Sequence, residues 1–110
     1  MEILFFDKIC IIKPFSPILD KREIERIKKE LYQHSNYTIA LDLSYVKDCT
    51  IDFINAVLNF TEINLYNVPS DILALLTMMG IDRKVNIFNS QLDFKEGKRR
   101  LINRQLKILK

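Results

Sequence analysis

At 110 residues, 48% hydrophobic and 28% charged, the chain can bury one core without disulfide or metal staples, which sets disorder aside. Its apolar runs, such as Ile9-Cys10-Ile11-Ile12, fall far short of the roughly 20 residues of a membrane span. The net charge of +3 conceals an acidic body and a basic tail: residues 95–110 hold seven basic residues against Glu96 alone.

The opening Met1-Glu2, with Asp7 soon after, has neither the basic start nor the apolar length of a signal peptide, so cytoplasmic residence is the expectation. Two cysteines, Cys10 and Cys49, and one histidine, His34, form neither a CxxC pair nor an HExxH helix. No metal site and no cofactor is therefore expected. Cys10 alternates into an apolar strand as a small core residue, and His34 follows a helix as a solvated residue near its C-terminus.

In chain order, Glu2–Phe6 reads as a first strand and Lys8–Phe15 as a second, with Asp7-Lys8 a tight turn that lacks the usual glycine. Pro14 and Pro17 stop the second strand, because proline cannot donate to a ladder. Asp20 with Glu23 makes a capping-box-like start for a helix from Lys21 to about His34, whose apolar stripe is Ile24, Ile27 and Leu31. Thr38–Leu43 reads as a buried central strand and Ser44–Thr50 as a polar loop.

A second helix begins near Thr50 or Asp52 and is apolar on most sides, with Asn55, Asn59 and Glu62 as a thin polar edge. It is either nearly buried or offers apolar surface to a partner, and burial is the simpler reading. Ile63–Val68 is a strand, and Asp71–Met79 a helix with Ile72, Leu75, Leu76 and Met79 as its buried stripe. Gly80 stands where a left-handed C-terminal cap belongs, and Met78-Met79 reads as core filler. Val85–Phe88 is the last strand. A basic helix follows from about Asp93 to Leu109, its first turn weakened by Gly97. The order β-β-α-β-α-β-α-β-α predicts an α/β fold, a mixed sheet with helices packed on it.

Three stretches carry a family resemblance: Ile39-Ala40-Leu41-Asp42-Leu43-Ser44-Tyr45-Val46, then Leu65-Tyr66-Asn67-Val68-Pro69-Ser70-Asp71-Ile72, then the run from Leu75-Leu76 through Gly80-Ile81-Asp82 to Phe88. Their order and spacing resemble the STAS domain, the fold of bacterial anti-sigma-factor antagonists. The resemblance covers about residues 1–95, with residues 96–110 as a basic C-terminal helix packed on the same domain. It implies a non-catalytic signalling domain in transcription regulation, with a protein partner such as an anti-sigma-type serine kinase. Switched members of that family carry Asp-Ser-Ser-Gly or Asp-Ser-Thr-Gly at the start of the second helix, and the first serine accepts phosphate. Here the matching positions are Thr50, Ile51, Asp52 and Phe53, and Ile51 has no hydroxyl to phosphorylate.

The expected partner-binding loop is Ser44, Asp48, Cys49, Thr50, Ile51, Asp52 and Phe53, with Thr50 and Ser44 as candidates for a shifted phosphosite. Asp52 has two readings. As a helix cap or dipole partner it contributes roughly 0.5–1 kcal/mol; alternatively it stands in for a phosphate, which carries nearer two charges. An enzyme is not expected, because no Gly-rich phosphate loop, nucleophile elbow or Ser/His/Asp set is present. The alternative function is nucleic-acid or anionic-surface binding through Lys98, Arg99, Arg100, Arg104 and Lys107, although no aromatic follows Phe94 for stacking on bases. A homodimer through the second or the final helix is compatible with the first reading.

Overall fold

The computed structural model describes residues 1–59 and 62–97. Strands β1 (Glu2–Phe6) and β2 (Ile9–Lys13) form the predicted hairpin. Asp7 supplies the left-handed turn residue at φ +52°, a position that aspartate tolerates better than most side chains. Beyond Pro14 and Pro17 a two-residue strand, β3 (Ile18–Leu19), leads into helix α1 (Lys21–Gln33). The Asp20 carboxylate accepts the Glu23 N–H at 3.0 Å, closing the N-terminus of α1 as the sequence predicts.

The remaining elements are β4 (Thr38–Asp42), β5 (Asp48–Cys49), α2 (Ile51–Asn59), β6 (Asn64–Tyr66), α3 (Ser70–Met78), a 3-10 turn (Ile81–Arg83), β7 (Asn86–Phe88) and α4 (Gln91–Glu96). The main sheet has the order β1-β2-β4-β6-β7; β1 is antiparallel to β2, and every later pair is parallel. This is the expected α/β fold with a mixed sheet. Helices α1, α2 and α3 bury Ile24, Ile27, Phe53, Ile54, Val57, Ile72 and Leu76 against Cys10, Ile12, Leu41, Leu65 and Ile87 on one face. On the other face Phe94 of α4 stacks on Tyr66 at 5.8 Å and meets Phe88 edge-on at 5.2 Å, over Ile11 and Ala40.

Several expectations are corrected. The loop after β4 is not wholly irregular: Asp48 and Cys49 pair in parallel with Ile18 and Leu19 as a second, two-stranded sheet. In α3 only Ile72 and Leu76 are buried. Leu75 and Met79 turn outward and Met78 is 83% exposed, so the methionine pair is not core filler. A helix of nine residues resting on one flank buries a single i, i+4 pair, with Leu73 half-buried against the core beside it. His34 is not solvated: it is half-buried, 3.3 Å from the Glu30 carboxylate, with the Phe5 ring edge-on at 5.1 Å.

Helix α4 starts earlier than predicted, because the Ser90 hydroxyl accepts the Asp93 N–H. Gly97 does not sit in its first turn. It closes the described helix at φ +74°, a conformation that favours glycine. Lys98, Arg99, Arg100, Arg104 and Lys107 lie outside the described residues, as does the predicted helix through Leu109. Among the described residues no helix is long and apolar enough to cross a membrane.

Because Leu41 is fully buried in the central strand, Leu41→Ala is expected to cost about 2–5 kcal/mol. Urea unfolding should show this as a lower midpoint with an unchanged slope.

Candidate interaction site at the carboxyl end of the central strand

Strand β4 ends on Asp42, a buried carboxylate, and the chain then turns out of the sheet. Asp42 Oδ1 accepts the Ser44 N–H at 3.0 Å and the Asn67 side-chain amide at 3.2 Å. This acid therefore fixes the turn after β4 and, through Asn67, the turn after β6. Asn67 sits at φ +55°, a left-handed position that asparagine adopts at low cost. The Tyr66 hydroxyl faces the same acid, is wholly buried, and makes no hydrogen bond of good geometry among the described residues. Burial first, and then the Asp42 charge, push the Tyr66 phenol well above its usual range.

Beyond the turn, Val46 is buried and pins the loop. The Lys47 and Asp48 N–H groups both donate to the Pro17 carbonyl, at 2.8 and 3.1 Å. The Thr50 N–H and hydroxyl both donate to the Leu19 carbonyl, at 3.1 and 2.9 Å. The small β3–β5 sheet thus ties the loop to the segment before α1, and the start of α2 inherits a fixed position. Proline can take part in this because its carbonyl is free to accept even though it has no N–H.

The predicted site residues separate by environment. Ser44 and Asp48 are exposed in the loop, and Ile51, the first residue of α2, is 63% exposed. Asp52 lies in the first helical turn, where its charge suits the helix dipole. Phe53 is buried in the core and offers no contact surface. Thr50 is half-buried with its hydroxyl spent on Leu19, so of the two candidate phosphosites only Ser44 presents itself to solvent. Cys49 is half-buried, and burial, then the neighbouring Asp48 charge, raise its thiol. A thiol held protonated in this way is a poor nucleophile at neutral pH.

The sequence reading named Ile51 but missed the aromatic pair beside this loop. The Phe15 ring stands edge-on to Tyr45 at 5.4 Å, and Lys13 Nζ lies 4.7 Å from the centre of the Tyr45 ring. Phe15, Ile18, Tyr45 and Ile51 are all exposed large apolar residues. The available signal was the Pro14-Phe15-Ser16-Pro17 stretch, which places an aromatic where the backbone cannot continue a strand. Two clefts, about 640 and 720 Å³, lie away from these residues, beside Thr38 and Asn64 at the amino ends of the parallel strands. Among the described residues no group of three or more His, Cys, Asp or Glu could hold a metal ion.

The raised Tyr66 phenol has a consequence for alkaline stability. The folded protein keeps this proton where the unfolded chain has lost it. The associated stability is therefore complete below the unfolded value of about 10 and falls as pH rises beyond it. Urea midpoints measured between neutral and alkaline pH should drop less for Tyr66→Phe than for the natural chain. At neutral pH the two should agree to within about 1 kcal/mol.

No family model matches the chain, and no curated protein sequence does. Solved structures do. TM1081 of Thermotoga maritima, assigned as an anti-sigma factor antagonist, aligns in its crystal structure with a TM-score of 0.76 and 20% identity, covering 90% of this chain and 94% of that one. Its NMR structure gives a TM-score of 0.71 and 19% identity over 89% and 88% of the two chains. The anti-sigma factor antagonist SpoIIAA, in its unphosphorylated form, gives 0.64 and 11% over 88% and 94%. The STAS-like fold expected from the sequence is the fold observed, shared with these anti-sigma factor antagonists over nearly their whole length.

Proposed function

We propose that this chain is a non-catalytic, cytoplasmic STAS-like interaction domain that works as the anti-sigma factor antagonists sharing its fold are named to do. Its partner-binding surface is the 44–50 loop with the exposed start of α2, and the leading partner class is an anti-sigma-type serine kinase. The ordinary serine switch is absent from this reading. The observation that carries it is Ile51, the first residue of α2, largely exposed and apolar; the sequence resemblance matches it to the phosphoacceptor serine of switched family members. Phe15, Ile18 and Tyr45 are further exposed apolar residues, Phe15 packed on Tyr45 of the loop and Ile18 in register with Asp48, while Asp48 and Asp52 supply charge. An apolar patch with a polar rim on a rigid scaffold suits a protein partner.

The test is a pull-down from the source cells with the natural chain, Asp52→Ala and Ile51→Asp, with phosphorylation read on each bait. The expected result is a kinase of the anti-sigma type bound to the natural chain and lost with Ile51→Asp, with no phosphate on residues 44–52. Incubating that kinase and ATP with Ile51→Ser should restore a phosphoacceptor at position 51. Partners that bind all three baits equally would remove the loop from the interface. Phosphate on Thr50 or Ser44 of the natural chain would show that the switch has moved.

A further inference from the structure

Strand β1 lies at the edge of the main sheet, and among the described residues nothing pairs with its outer side. The Thr38 N–H donates to the Lys8 carbonyl at 2.8 Å, which turns the even-numbered backbone groups beside β2 toward β4 and leaves those of Ile9, Ile11 and Lys13 facing β1. Their register partners Phe6, Leu4 and Glu2 spend their backbone groups inside the hairpin. The N–H and C=O groups of Ile3 and Phe5 consequently point outward.

Sheet edges are ordinarily blunted by lysine, proline, a bulge or brevity. Glu2-Ile3-Leu4-Phe5-Phe6 has none of these: it is five residues long, with one charge at its start and four apolar residues after it. Leu4, Phe5 and Phe6 are 37%, 49% and 38% exposed. We propose that β1 pairs antiparallel with β1 of a second copy of this chain, about a two-fold axis at Leu4, joining the two sheets into one.

Charge selects the occupant and the register. With the axis at Leu4, Ile3 of each copy exchanges both hydrogen bonds with Phe5 of the other, Leu4 faces Leu4, and Glu2 lies across from Phe6. Phe6 is the residue over which Lys95 holds its ammonium, 4.0 Å from the ring centre. Each Glu2 therefore arrives beside a Lys95, once on either side of the axis, and neither residue forms an ion pair among the described residues. Centring on Phe5 instead would set Ile3 against Asp7, whose φ of +52° bends it out of the strand and shortens the ladder. A self-complementary edge of this kind closes as a dimer and does not propagate. The proposal uses the outer strand and not the 44–50 loop, so it stands or falls separately from the partner reading.

Sedimentation velocity across a concentration series, on the full chain, tests it. The expected species at high concentration has twice the 13.0 kDa monomer mass. Glu2→Lys and Lys95→Glu should each weaken the dimer about tenfold, and the double exchange should restore it. Leu4→Lys, which sets like charges against each other at the axis, should leave only monomer with an unchanged circular dichroism spectrum. Amide exchange at Ile3 and Phe5 should be slow in the dimer and fast in that variant. A 13.0 kDa species at every concentration would overturn the proposal. So would a dimer indifferent to Leu4→Lys, or one that the double exchange fails to restore.

Discussion

Strand β4 is paired on both edges, in parallel with β2 and with β6, and covered on both faces. Ala40 and Leu41 are fully buried there, Leu41 toward the three-helix face and Ala40 toward Phe94. A strand fixed from four sides cannot slip by one residue, since every side chain would move to the opposite face. The positions of α1, α2 and the loop between them follow from that constraint. A parallel neighbour must be reached by a crossover, and the crossovers are these helices.

At the end of that strand the apolar pattern stops at Asp42, and the fold uses the acid as a fastener. One carboxylate oxygen accepts from two turns that leave the sheet side by side, after β4 and after β6. A buried charge is costly unless it is hydrogen-bonded, so the two donors and the turns stabilise one another. The small β3–β5 sheet secures the far end of the loop through the Pro17 and Leu19 carbonyls. Held at both ends, the loop presents Ser44, Tyr45 and Asp48 from fixed backbone, which suits recognition better than a floppy connection.

The chain achieves this with only two glycines, Gly80 and Gly97, both in left-handed conformation. Asp7, Glu62 and Asn67 take left-handed positions as well, and Asn67 is stabilised by its bond to Asp42. At these three turns polar side chains stand where glycine would meet the conformation at least cost.

Periodicity and punctuation in the sequence determined the order of the main-sheet strands and their helices, the hairpin, the Asp20 cap and the buried central strand. These depend on local sterics and on which residues can leave water, both of which are written along the chain. The exit of a polar loop at the end of β4 was equally legible, because an apolar strand running into a polar, hydroxyl-rich segment marks where the chain leaves the sheet. Only the tertiary structure decided that Phe15 packs edge-on against Tyr45, that Thr50 spends its hydroxyl on Leu19, and that Met78 faces outward. Each of these depends on contacts between segments far apart in sequence or on which flank of a short helix meets the core. A one-dimensional pattern carries neither, because burial is set by what arrives from elsewhere in the chain.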